Sequence, residues 1–203
     1  WFSWLPGVDD DTAEDATEPA KLQPFDAEVD VSVQWKRQVG DGLGKKYIRL
    51  MPGVVADRII AADGYGLLVA YDRFTGQPVW QQQFDAVERS GFSIAGLLDR
   101  RDPAFVSGGV GIGAGMVLVG TTHGEVIALD VADGSERWRS RVGTEVGAAP
   151  TAGAGKVFVQ TIDDRVSALD ADSGDLVWTY DSQMPLLTLR GTSAPVFDQG
   201  VLY

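Results

Sequence analysis

Hydrophobic and polar residues alternate in short bursts along most of the chain, and the bursts repeat one another. Gly66-Leu67-Leu68-Val69-Ala70-Tyr71-Asp72 leads to Thr75-Gly76 and then Val79-Trp80. Gly124-Glu125-Val126-Ile127-Ala128-Leu129-Asp130 leads in the same steps to Asp133-Gly134 and Arg137-Trp138. Asp164-Arg165-Val166-Ser167-Ala168-Leu169-Asp170 leads to Ser173-Gly174 and Val177-Trp178. The shared pattern is hydrophobic-x-Ala-Leu/Tyr-Asp-x-x-x-Gly-x-x-x-Trp. Period-2 alternation predicts a strand through the Ala-Leu-Asp stretch. Asp can bond the nearby backbone and Gly accepts positive φ, so the next four residues predict a turn. The strand after it ends in Trp, a large apolar wedge for the space between sheets.

Each core follows another apolar strand: Arg58-Ile59-Ile60-Ala61-Ala62, Met116-Val117-Leu118-Val119-Gly120 and Lys156-Val157-Phe158-Val159-Gln160. An earlier short strand begins near Pro52, Val110 and Pro150. The unit is therefore a four-stranded antiparallel meander. The step from Trp138 to Trp178 is the shorter of the two Trp spacings, and that from Trp80 to Trp138 the longer. Four strands within the shorter step, about 40 residues, is the size of a β-propeller blade.

The expected fold is all-β, an incomplete propeller ring of about half of eight blades. The blades run about 50–84, 107–142 and 148–182, and a further blade starts at 192–203. Residues 85–109 form an excursion between the first two blades, which lengthens the first Trp spacing. Trp35, in Val33-Gln34-Trp35-Lys36, resembles a terminal Trp strand without its partners. Residues 31–40 are accordingly expected to supply a blade-closing strand, within a propeller region spanning 31–203. Ser193-Ala194-Pro195-Val196 repeats Ala148-Ala149-Pro150-Thr151, and Gly200-Val201-Leu202-Tyr203 repeats Gly155-Lys156-Val157-Phe158. The chain stops inside a blade, so the ring is either a fragment or completed by another chain; two copies pairing edge to edge is one such arrangement.

Charge and composition narrow the function. The formal charge is −12, and residues 1–32 hold nine acidic side chains against the single base Lys21. Residues 1–30 therefore read as an acidic, flexible leader. An acidic surface repels phosphate backbones, which argues against nucleic acid. There are no cysteines, so disulfides, thiolate nucleophiles and cysteine-based metal sites are excluded together. The start at Trp1, without methionine, reads as a processed or engineered one. No apolar run approaches the length of a membrane-spanning helix.

The candidate chemistry is sparse. His123, the single histidine, falls in the turn Thr121-Thr122-His123-Gly124 and reads as a solvated turn residue. Asp72, Asp130 and Asp170 occupy the same place in every repeat, which marks them as structural rather than catalytic. The glycines of Ser107-Gly108-Gly109-Val110-Gly111-Ile112-Gly113 fit no dinucleotide or P-loop spacing.

The Ala-Leu-Asp-x-x-x-Gly-x-x-x-Trp blade resembles that of quinoprotein-like propellers, a group that includes pyrroloquinoline-quinone dehydrogenases and the BamB family of outer-membrane assembly lipoproteins. Three further stretches resemble the BamB family specifically: Met184-Pro185-Leu186-Leu187-Thr188-Leu189-Arg190-Gly191-Thr192-Ser193-Ala194-Pro195, Val39-Gly40-Asp41-Gly42-Leu43-Gly44 with Tyr47, and Ser107-Gly108-Gly109-Val110. Together they cover roughly residues 30–203. The resemblance implies a non-catalytic scaffold of an eight-bladed ring, without a cofactor. It also implies an anchor at the periplasmic face of the outer membrane through an N-terminal lipid, binding to the periplasmic domains of the barrel-assembly protein BamA, and help in folding outer-membrane β-barrels. In that family the Leu-x-Leu-Arg stretch contacts BamA, which places partner binding at Leu187, Leu189 and Arg190. Nascent outer-membrane proteins are a further candidate partner, through strand addition at an exposed sheet edge. The resemblance puts the family's second, acidic contact loop beyond Tyr203 and its lipid-bearing cysteine, absent from this sequence, shortly before Trp1-Phe2-Ser3-Trp4. On pattern alone, Leu187-Thr188-Leu189-Arg190 also reads as an ordinary packed strand. The alternatives are a quinoprotein dehydrogenase using pyrroloquinoline quinone and calcium, whose pocket resembles one with adjacent cysteines, and a generic peptide-binding propeller.

Overall fold

The computed structural model describes residues 28–43, 49–84, 106–181 and 193–203. Two units separate at Val33/Gln34, and all the sheets lie in the second. Every regular element among the described residues is a strand. Blade 1 holds β1 (Gly53–Val55), β2 (Arg58–Ala62), β3 (Leu67–Asp72) and β4 (Pro78–Gln83). Blade 2 holds β5 (Val106–Gly113), β6 (Met116–Thr121), β7 (Glu125–Asp130) and β8 (Glu136–Arg141). Blade 3 holds β9 (Thr151–Gly153), β10 (Lys156–Gln160), β11 (Arg165–Asp170) and β12 (Leu176–Asp181). A hairpin of β13 (Phe197–Asp198) and β14 (Val201–Leu202) opens a fourth. Within each blade the strands lie in chain order, all antiparallel. This is propeller architecture, as the repeat predicts.

The repeat imposes one register. Ile60, Ala70 and Trp80 lie across one row of blade 1; Leu118, Ala128 and Trp138 do so in blade 2, and Phe158, Ala168 and Trp178 in blade 3. Ala is the small neighbour that gives each indole room. A bulge follows it in every blade, between Ala70/Tyr71, Ala128/Leu129 and Ala168/Leu169. The turn after the bulge is also the same three times. The amide of Gly76, Gly134 or Gly174 donates to the carbonyl of Asp72, Asp130 or Asp170 at 2.9 Å. The Asp carboxylate caps the turn, accepting for example from Phe74 N at 3.0 Å and Thr75 N at 2.7 Å in blade 1. The inner hairpins close through Ala114-Gly115, Ala154-Gly155 and Gln199-Gly200, both residues at positive φ as a tight two-residue turn requires.

The core sits between blades. Ile60, Leu68 and Ala70 of blade 1 pack against Val117, Val119, Ile127 and Leu129 of blade 2. Met116, Leu118, Val126 and Ala128 of blade 2 then pack against Val157, Val159 and Leu169 of blade 3. Each junction is pinned by a tryptophan. Trp80 Nε1 donates to Val131 O at 3.1 Å, and Trp138 Nε1 donates to Ala171 O at 2.8 Å. Both indoles lie flat on the turn glycine of the following blade: a Cβ on Gly134 would come within 2.6 Å of the Trp80 ring, and one on Gly174 within 2.6 Å of Trp138.

Trp35 repeats this arrangement on blade 1. Its Nε1 donates to Arg73 O at 2.9 Å, and a Cβ on Gly76 would meet its ring at 2.6 Å. Residues 31–40, where a closing strand was expected, nevertheless carry no strand pairing here. The indole docks while its backbone pairs with no strand among the described residues. Strand β5 starts at Val106, within the expected 85–109 excursion, and is bulged between Val106 and Val110. Its glycines have a packing reason. A side chain at Gly108 would strike the Ala148 carbonyl oxygen, and one at Gly111 the Pro150 carbonyl oxygen.

Candidate partner-binding surface

Leu187, Leu189 and Arg190 fall outside the described residues, within 182–192. What the structure describes is the pair of strands from which that stretch leaves and to which it returns. It leaves blade 3 at Asp181, the last residue of β12, which lies in register opposite Arg165 of β11. Arg165 Nε donates to Asp181 Oδ1 at 2.6 Å. The chain returns at Ser193, and Thr151 of β9 donates its hydroxyl to Pro195 O at 2.6 Å. Val196 and Tyr203 exchange backbone hydrogen bonds of 3.0 and 2.8 Å, which squares off the fourth-blade hairpin.

A polar network lies around the departure point. Thr144 Oγ1, in the connection entering blade 3, donates to Asp163 Oδ1 at 3.0 Å. Thr161 Oγ1 bonds the same oxygen. Ile162 N donates to Glu145 O at 2.9 Å, tying the β10–β11 turn to that connection. Burial pushes the Asp163 carboxyl up, but the two threonine hydroxyls outweigh it and leave its pKa below the usual carboxylate value. The hydrogen bond to Asp181, then the charges of Asp181 and Asp163, stabilise the Arg165 cation further.

The front face of blade 3 is apolar and open. Leu176, Trp178 and Tyr180 alternate along β12 with exposures of 62%, 38% and 63%. Trp178 leans on the buried Phe158, with ring centroids 6.0 Å apart, and Phe158 stacks on Phe197 at 5.2 Å.

The other residues singled out in the sequence have structural surroundings. Asp72 is acidified mainly by the amide and hydroxyl of Thr75, Asp130 by Arg137, and Asp170 by the amides of Ser173 and Asp172. His123 is half-buried in its turn, with Nδ1 3.4 Å from Thr122 Oγ1. No grouping of three or more metal-ligating side chains occurs among the described residues.

Sequence reasoning missed three features. Asp63, 3% exposed, accepts from Tyr65 N and Leu67 N at 2.8 Å and from Asp41 N at 3.2 Å, and so anchors the 40–42 turn to blade 1. The indole-to-carbonyl bonds join residues far apart in the chain, and no local pattern announces them. The Arg165–Asp181 pair was visible only as two charges on separate strands.

Comparison with known proteins places this arrangement. The sequence pattern of one family, the outer membrane protein assembly factor BamB, matches residues 25–90 and 90–203. A BamB from Xanthomonas campestris is 40% identical over 200 residues, covering 98% of this chain and 47% of that protein. The crystal structure of BamB from Moraxella catarrhalis superimposes with a TM-score of 0.62 at 28% identity, over 74% of this chain and 40% of that one. A quinohemoprotein alcohol dehydrogenase from Comamonas testosteroni aligns with a TM-score of 0.50 at 27% identity, over 66% of this chain and 21% of that one. The chain spans about half the length of the curated relatives it matches. With its blade register, its tryptophan-pinned junctions and a match running through both parts of the chain, the protein belongs to the family of the outer membrane protein assembly factor BamB.

Proposed function

We propose that this chain is the scaffold part of an outer-membrane β-barrel assembly factor, and that it binds the periplasmic domains of BamA through Leu187, Leu189 and Arg190. The observation that carries the reading is the family match, which runs through residues 90–203 and so includes this stretch. The function is non-catalytic, and the site is the periplasmic face of the outer membrane, reached through a lipid anchor. The dehydrogenase likeness is that of shared blades, because it extends over 21% of that enzyme. The quinoprotein pocket that the sequence resemblance implies also needs adjacent cysteines, and this chain has none.

The stretch lies in the chain between blade 3 and the start of the next blade. Ser193-Ala194-Pro195, just after the stretch, repeats the blade opening Ala148-Ala149-Pro150. Leucines can serve a partner as apolar anchors, and an arginine as a carboxylate-binding fork. The exposed outer strand β12 suits the addition of a nascent barrel strand through backbone bonds.

The test is a titration of the chain against purified BamA periplasmic domains, with a Leu187→Ala/Leu189→Ala/Arg190→Ala variant beside it. The variant should bind at least about tenfold more weakly while keeping its circular dichroism spectrum. Equal binding by both chains would move the site elsewhere on the disc, and binding by neither would sink the reading.

A further inference from the structure

The fold repeats one joint, a tryptophan of one blade laid on the Asp-x-x-x-Gly turn of the next. Trp80 and Trp138 each donate the indole N–H to the carbonyl of the residue after the turn aspartate, Val131 and Ala171, and lie on Gly134 and Gly174. Between blades 2 and 3 a second bond joins in: Ser140, two residues after Trp138, donates its hydroxyl to the Gly174 carbonyl. The turn of blade 1 offers the same acceptors, the carbonyls of Arg73 and Gly76, over the same bare glycine. Its tryptophan comes from outside the blades. Trp35 Nε1 donates to Arg73 O, and Arg37, two residues on, donates from Nε to Gly76 O at 2.8 Å.

Residues 34–42 are therefore an arm held on blade 1 at two separate points. The far end is fixed at the 40–42 turn, where Asp63 accepts from Asp41 N and Gly64 N donates to Gly42 O at 2.8 Å. Gly40 and Gly42, at φ +46° and +67°, make the bend there. The near end holds through side chains, the Trp35 ring tilted against Tyr71 and the Arg37 guanidinium on the turn. Loss of the indole frees that end and leaves the 40–42 anchor in place.

Blade 3 presents the opposite half of the joint, a tryptophan without a turn. Trp178 repeats Trp80 and Trp138 in register, is 38% exposed, and has no hydrogen-bond partner for its indole N–H among the described residues. Tyr180 stands two residues on, exposed, in the place that Ser140 and Arg37 take in the filled joints. One chain thus carries a tryptophan seeking a turn and a turn filled by its own arm.

We propose that the Trp35 arm is a removable cap, and that a second copy of this chain docks its Trp178 on the Gly76 turn when the cap is lifted, joining copies head to tail. The partner is specified by the joint itself: ring, bare glycine and acceptor carbonyl match those that hold Trp80 and Trp138 within the chain. The contact uses a different patch on each copy, so it either closes a ring or runs on. With the arm in place, its tryptophan is tethered beside the turn at an effective concentration of about 1 mM, well above that of a second copy in dilute solution. The arm therefore wins, and removing its ring hands the turn to the competitor.

The experiment is sedimentation velocity across the micromolar range in about 0.15 M salt, where the charge of −12 on each copy is largely screened. Four samples are compared: the unsubstituted chain, Trp35→Ala, Trp35→Ala/Trp178→Ala, and Trp35→Ala with an excess of a synthetic peptide of residues 31–40. Trp35→Ala should associate at a concentration at least about tenfold lower than the unsubstituted chain. The double variant and the peptide-treated sample should return to monomer. A Trp35→Ala chain that keeps its circular dichroism spectrum and stays monomeric overturns the proposal. So does association that survives Trp178→Ala or the peptide, and so does an unsubstituted chain that associates as readily as Trp35→Ala. If Trp35→Ala loses its spectrum, Trp35→Phe, which keeps a ring without the N–H, carries the same test. It should associate at a concentration about threefold lower than the unsubstituted chain, and no shift overturns the proposal.

Discussion

Trp138 and Trp178 occupy the same place in consecutive repeats, pair with Ala128 and Ala168 in the same register, and follow the same bulged turn. Trp138 is 7% exposed and Trp178 38%. What the described residues set in front of each ring differs. Trp138 faces blade 3, whose Gly174 accepts the flat of the ring and whose Ala171 carbonyl accepts the indole N–H. Beside Trp178 the described residues supply the β13–β14 hairpin, and among them it has neither glycine nor carbonyl to dock on. A repeat motif in this fold is half of an interaction, and the adjoining blade supplies the other half.

The comparison can be broken most forcefully at the two rings. Trp138→Ala should cost about 3–5 kcal/mol, since it empties a filled junction and strands a buried carbonyl. Trp178→Ala should cost less than about half of that, because much of its ring already meets water. Urea unfolding of both variants checks the ordering, and equal losses would mean that blade 3 draws no more from its rear junction than from its front.

A smaller effect is expected at the glycines. Gly174 has φ +77° and lies under the Trp138 ring, whereas Gly200 has φ +85° with open space around it. Gly200→Ala should show only the left-handed backbone cost, roughly 1–2 kcal/mol. Gly174→Ala adds a collision with the indole and should exceed it clearly. The same unfolding titration separates the two.

The smallest effect concerns the capped turns common to all three blades. The carboxyls of Asp72, Asp130 and Asp170 are held below their ordinary values by turn amides, hydroxyls and Arg137. The unfolded chain therefore binds protons at higher pH than the folded one. The stabilisation is present above the unfolded value of about 3.9, and it fades as pH falls through the folded values. Asp170→Asn should flatten the acid limb of the stability curve, measured by chemical unfolding from neutral pH down to about 3. An unchanged limb would show that this cap carries none of the pH dependence.

Much of the fold could be read in advance because its signals are local. Alternation fixes strands, Asp-x-x-x-Gly fixes the turn between β3 and β4 and its two equivalents, and the ungapped repeat fixes their register. The closing segment was harder to read. Trp35 carries the right residue type, and the structure shows it docked on Gly76, but residues 31–40 pair with no sheet among the described residues. Docking needs one ring and one turn, whereas a strand needs a partner edge along its length. The glycine run of β5 was read only as not a phosphate loop. Its purpose, close approach to the 148–150 backbone, depends on a segment that opens the next blade. For the candidate site, sequence supplied the residues through family resemblance. The ties at the described ends of that stretch, Arg165 to Asp181 and Thr151 to Pro195, appeared only when β9, β11 and β12 came together.

By itself, then, the sequence determined the unit: four strands, a capped turn, an alanine facing a tryptophan, repeated three times, with a Leu-x-Leu-Arg stretch between the third repeat and the next. These are matters of period, φ preference and side-chain size, each settled within a single repeat. The tertiary structure decided which tryptophan is buried and which open. It also decided why Gly134 and Gly174 must lack side chains and where the Arg165 guanidinium points. Those outcomes depend on atoms from an adjacent blade or strand, and no single repeat contains them.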